Sequence, residues 1–113
     1  MEKKYATRKF IRNSANEVPH SAKSKFEHSS DKEVWKAFCE EDELAFIYIY
    51  TQYFQTLLRY GWQFTHDREL VLDCIQDLFI YLRSKRSRLG ELKSRIDVYL
   101  MASFRRRILD YKK

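Results

Sequence analysis

Residues 69–82 read ELVLDCIQDLFIYL, and the reading of this stretch decides the fold. Leu70, Val71, Cys74, Ile75, Leu78, Phe79 and Leu82 recur at three-, four- and seven-residue steps, so on a helix they form one apolar stripe. On the other face Asp73, Asp77 and Tyr81 follow one another at four-residue steps, with Gln76 beside them. That sets an acidic, amide-bearing strip on a rigid rod. Such a strip suits a basic partner, although an ordinary solvated helix face carries the same residue types.

Upstream, Asp42 to about Phe64 reads as a long helix with Phe46, Ile49, Tyr50, Tyr53, Leu57, Tyr60 and Phe64 on one face. Bulky aromatics at these steps describe a helix packed on more than one neighbour; nothing in it resembles a cofactor-binding box. Gly61 costs this helix about 1 kcal/mol relative to Ala, a cost that makes sense where another helix comes close. Thr65, His66 and Asp67 break the pattern, and Asp67 with Glu69 starts the next helix. His66 is a lone histidine at a helix boundary, which suits capping or solvent exposure better than a ligand or a base.

Before the long helix, Ser30 followed by Asp31, Lys32 and Glu33 forms a capping box. The short helix it opens has Val34, Trp35, Phe38 and Cys39 along one side, and the acidic run Glu40–Glu43 ends it. Residues 1–30, polar and charged around the single Pro19, read as a flexible basic arm with a short helical turn near Tyr5 to Ile11. Such an arm adds non-specific phosphate contacts or is an inert leader.

Beyond Leu82 the composition changes to RSKRSRLGELKSR. The helix is expected to end near Ser87, with a loop from Leu89 to Arg95 in which Gly90 takes the left-handed conformation. Ile96 to Lys112 then makes a last helix whose inner face is Ile96, Tyr99, Leu100, Ser103, Phe104, Ile108 and Tyr111. Arg105, Arg106 and Arg107 fan through about 200° of it, so at least two face solvent. A basic loop next to a basic helix, with Tyr99 between, interleaves cations and a flat ring, a combination that favours unpaired bases.

Two Gly and one Pro in 113 residues leave few forced turns, so the fold class is all-α: one compact bundle of about four helices over residues 31–113. The net charge of +6 hides a division. Residues 31–82 carry four Lys/Arg against ten Asp/Glu, and residues 83–113 eleven against three. An acidic middle and a basic end can meet two partners of opposite sign, nucleic acid being the usual one for the basic end. Cys39 and Cys74, far apart and each in a helical pattern, suggest neither a disulfide nor a metal site, and fit free thiols in a reducing cytosol. No apolar run spans a membrane and no signal peptide is evident, so a cytoplasmic location is expected. The HxxxH, CxxC, GxSxG and phosphate-cradling patterns are missing, which speaks against an enzyme.

The segments AFIYIYTQYFQTLLRYG, DCIQDLFIYL and IDVYLMASFRRRILD together resemble region 2 of bacterial RNA polymerase sigma factors, in the small extracytoplasmic-function group. The likeness runs from about Asp31 to the last residue. Its most specific piece is Asp73 to Phe79, DCIQDLF, against the family's acidic-x-x-Gln-acidic-x-Phe signature.

The resemblance implies a sigma factor domain that docks on core RNA polymerase and recognises and melts the −10 promoter element. Asp73, Gln76 and Asp77, with Phe79 and Tyr81, would face the basic clamp helices of the polymerase's largest subunit. Arg86, Arg88, Lys93, Arg95, Tyr99, Arg105 and Arg106 would hold promoter DNA, mainly the non-template strand, including a flipped-out base. It implies no metal or cofactor, and an anti-sigma factor as a possible further partner. Where many members carry Asn in an Ala-Arg-Asn segment this chain has Arg106, which can contact phosphate or guanine but lacks an amide's donor and acceptor pair. A common Trp is Tyr99 here. The 113 residues stop before a second helical domain of the kind that reads the −35 element, so the expectation is either the N-terminal domain of a longer protein, the favoured reading, or a natural fragment. Two readings stand against this one: a helical protein-interaction module without a DNA role, and a generic DNA-binding helical domain.

Overall fold

The computed structural model describes residues 18–111, so the turn expected near Tyr5 to Ile11 lies outside the described residues. The elements in chain order are α1 (His20–Phe26), α2 (Asp31–Cys39), α3 (Glu43–Gly61), α4 (Arg68–Lys85), a 3-10 turn (Arg86–Arg88) and α5 (Ile96–Tyr111). The described secondary structure is helical throughout, as the sequence leads one to expect.

The starts of α2, α3 and α4 fall where a short polar side chain takes orphaned N–H groups. The Ser30 hydroxyl accepts from Glu33 N at 3.2 Å while the Glu33 carboxylate accepts from Ser30 N at 2.8 Å, completing the capping box of α2. Asp42 caps α3 through Leu44 N and Ala45 N, and Asp67 caps α4 through Leu70 N. Between α2 and α3 the chain turns at Glu41, whose φ of 68° is unusual for a residue with a side chain. After α4 the 3-10 turn leads to Gly90, where φ is 75° as its position in the loop requires.

The boundary at residue 30 moves. Part of what reads as an arm is helix α1, whose Ala22 and Phe26 are buried. The Phe26 ring meets Tyr48 of α3 with centroids 5.7 Å apart, and Lys25 pairs with Asp42. Seven residues with only two apolar contacts give a periodicity test too little to detect.

α3 is the centre of the bundle, touching α1, α2, α4 and α5. Its buried arc is accordingly wider than one stripe: Ala45, Phe54 and Leu58 are buried besides Phe46, Ile49, Tyr50 and Leu57. Tyr53, Tyr60 and Phe64 sit at the edge, half-buried. Gly61 is where α3, α4 and α5 converge. A Cβ there would lie 2.5 Å from Val71 Cγ1 and 3.2 Å from Phe104 Cζ, so the close approach expected of this glycine is present.

α5 buries Ile96, Leu100, Phe104 and Ile108, with Tyr99 and Ser103 half-buried. Tyr111, expected on the inner face, is 54% exposed: beyond Ile108 the end of α5 leaves the core, and the Tyr111 hydroxyl reaches Asp77 of α4 instead.

Candidate functional site

The two candidate surfaces meet on the seam between α4 and α5. Tyr111 Oη donates to Asp77 Oδ2 at 2.6 Å, and one turn away the Arg107 guanidinium lies 4.8 Å from the centre of the Tyr81 ring. The pairs 77–111 and 81–107 step in opposite directions along the chain, as antiparallel neighbours do. On α5 the four-residue spacing Tyr99, Ser103, Arg107, Tyr111 mirrors Asp73, Asp77, Tyr81 on α4. Two strips of polar and aromatic side chains therefore face each other.

Farther along this seam is a cavity of about 320 Å³ lined by Leu78, Tyr81 and Leu82 from α4 and by Tyr99, Ser103, Arg106, Arg107 and Asp110 from α5. Its walls offer two phenol rings, two guanidinium groups, a hydroxyl and a carboxylate over a leucine floor. A flat group with apolar faces and a polar edge suits such a lining. Tyr99 is held in place from behind: its ring meets Trp35 edge-on with centroids 5.0 Å apart, and Trp35 Nε1 donates to the Gly90 carbonyl at 3.0 Å. Burial raises the Tyr99 hydroxyl pKa, while a hydrogen bond with Ser103 acts the other way.

Charge on the seam shifts its neighbours. The Tyr111 hydroxyl is pushed up to about 12, chiefly by its hydrogen bond to Asp77 and then by burial and the charge of that carboxylate. Burial, followed by Asp77 and Asp73, pushes the Cys74 thiol up to about 11, so this cysteine stays protonated.

Of the strip expected to dock, Asp73 and Asp77 are half-buried at the surface and Tyr81 is 45% exposed. Gln76 is not there: it is 1% exposed, its Oε1 without a hydrogen-bond partner among the described residues. Phe79 is also inside, packed edge-on against Tyr50 at 4.8 Å and Phe46 at 6.4 Å. Phe79 is inside because it belongs to the apolar stripe of α4, whereas Gln76 lies off that stripe and is taken in by the packing. α4 packs on α3 and on α5 at once, so its buried arc is wide enough to take in Gln76.

The cations divide likewise. Arg88, Lys93, Arg105 and Arg106 are exposed. Arg86 is not a surface cation: its side chain is 11% exposed and forms an ion pair with Glu43 at 2.6 Å, with Glu41 at 3.6 Å. Arg83 reaches the other oxygen of Glu43 at 2.6 Å. The acidic run after α2 is thus matched by the cations that end α4. Arg95 is exposed but forks onto Asp97, at 3.0 and 2.9 Å. Arg107, named in the arginine run but not among the expected site residues, and Asp110 join the site; the four-residue spacing on α5 is the signal that would have found Arg107.

Among the described residues no group of three or more His, Cys, Asp or Glu is placed to hold a metal ion, and no helix is long and apolar enough to cross a membrane. Compared with models of protein families, with curated proteins and with solved structures, the chain matches none.

Proposed function

We propose that this chain is the region 2 module of a bacterial RNA polymerase sigma factor of the extracytoplasmic-function kind. In this reading Asp73 and Asp77 on α4 dock on the basic clamp helices of the largest subunit of core polymerase. The seam cavity and the exposed cations of the loop and α5 take the non-template strand of the −10 element. The observation that carries it is the shared cavity: Tyr81 belongs to the helix that docks, Tyr99 and Arg106 to the helix that holds DNA, and all three line one space.

Opening a base pair costs a few kcal/mol. Stacking an unpaired base on an aromatic side chain is worth roughly 1–3 kcal/mol, so one or two captured bases offset the opening. Tyr99, braced by Trp35, is a ring fixed before the base arrives, which reduces the ordering cost of capture. Arg105 and Arg106 supply phosphate contacts, and free protein binds duplex DNA weakly and with strong salt dependence.

A helical interaction module without a DNA role finds its support in Arg83, Arg86 and Arg95, cations already used inside the molecule. That module predicts no DNA dependence at all, whereas a generic DNA-binding helical domain leaves Asp73 and Asp77 dispensable, and core-polymerase capture tests the latter. Reversing Asp73 and Asp77 to Lys should abolish pull-down of core polymerase; undiminished capture counts against the docking strip.

A further inference from the structure

The acidic strip is not open along its whole length. Asp77 and Tyr81, one turn apart on α4, are each covered by a side chain of α5: Asp77 by Tyr111 of the last turn through a 2.6 Å hydrogen bond, Tyr81 by Arg107 of the turn before it, a cation set over the ring at 4.8 Å. The Tyr111 ring is itself 54% exposed, so it is held there by its hydroxyl more than by burial. α5 is anchored one turn earlier by Ile108 and two turns earlier by Phe104, both fully buried. The last turn can therefore shift while the body of the helix stays in the core.

We infer that the last turn of α5 is a cover over the docking strip. A lysine or arginine of a docking partner reaches the Asp77 carboxylate by taking the place of the Tyr111 hydroxyl. The exchange swaps a neutral donor for a charged one, which favours the partner. While the internal bond holds it competes with docking. Because Asp110, which lies beyond Ile108 in the same turn, also lines the seam cavity, releasing the turn loosens one wall of the space assigned to an unpaired base. Partner binding at Asp77 and access to the cavity are coupled through this turn. The inference rests on the docking role proposed above for Asp73 and Asp77.

The test uses the full chain and core RNA polymerase. Tyr111→Phe keeps the ring and deletes only the hydroxyl, and it should bind core polymerase about twofold to tenfold more tightly, the range that one net hydrogen bond spans. The 19F resonance of 3-fluorotyrosine at position 111, assigned by its loss in Tyr111→Phe, reports the contact directly. On adding polymerase to the parent chain it should move toward the position seen in free Asp77→Ala, in which the acceptor is gone. Unchanged or weaker binding by Tyr111→Phe, or a resonance that stays put, overturns the cover. If reversing Asp73 and Asp77 to Lys leaves polymerase binding unaffected, the docking role itself fails, and the cover with it.

Discussion

The carboxylate of Asp31 accepts a hydrogen bond of 2.9 Å from the backbone N–H of Ile96. The first residue of α2 thus caps the first turn of α5, and the start of the helix that carries Tyr99 is fixed by a residue from the other end of the chain. Replacing Asp31 by Ala should destabilise the protein by about 1 kcal/mol, a usual loss for a helix cap. Thermal unfolding measures the loss, and amide exchange in the first turn of α5 should quicken. Asp31→Asn, which keeps an acceptor, should behave like the parent.

Gly61 marks the point where three helices touch. Gly61→Ala gains about 1 kcal/mol of helix propensity, but its new methyl meets Val71 Cγ1 at 2.5 Å. Overpacking of this kind costs about 1–3 kcal/mol, so the substitution should be net destabilising by up to about 2 kcal/mol. Val71→Ala in the same chain should recover part of the loss. A denaturant double-mutant cycle with a favourable coupling between the two sites is the expected result.

Acid should weaken the junction of α3 with the end of α4. Burial raises the Glu43 pKa, but hydrogen bonds from Arg83 and Arg86 outweigh it and hold the carboxyl below its ordinary value of 4.5. Asp97, held by Arg95, is lowered too. A lowered carboxyl contributes stability that is fully present above its unfolded pKa and is lost as pH falls through the folded one. The unfolding midpoint should therefore drop below about pH 4.5, and more shallowly in Glu43→Gln than in the parent. Equal slopes would remove Glu43 from the account.

The arginines should separate by role. Arg106→Ala should weaken capture of a single-stranded −10 oligonucleotide and reduce the slope of log K against log salt by roughly 0.7, the loss of one phosphate contact. Arg86→Ala should leave that slope unchanged and lower the unfolding midpoint, because Arg86 is spent on Glu43 and Glu41. Filter binding across a salt series, beside thermal melts, checks both.

These contrasts show where the sequence is legible. Caps at Ser30, Asp42 and Asp67, the left-handed Gly90 and the close approach at Gly61 are local or nearly local effects, and each can be read from residue order. Asp73, Asp77 and Tyr81 reach the surface because a four-residue spacing opposite an apolar stripe points them outward. Gln76 reads as a surface amide because periodicity assumes one buried face, and α4 has two neighbours. Arg86 and Arg95 read as free cations because their partners are set by how the chain folds back or turns. The seam cavity needs two helices in register, which neither helix encodes alone.

The central claim is that the seam between α4 and α5 holds an unpaired strand once α4 is docked. Its most direct test is the affinity of a fluorescent non-template −10 oligonucleotide for core polymerase carrying this chain or its Tyr99→Ala, Arg106→Ala variant. A loss of about tenfold or more, the size of one stacked base, with polymerase binding intact, is the predicted result. Equal affinity for parent and variant would contradict it.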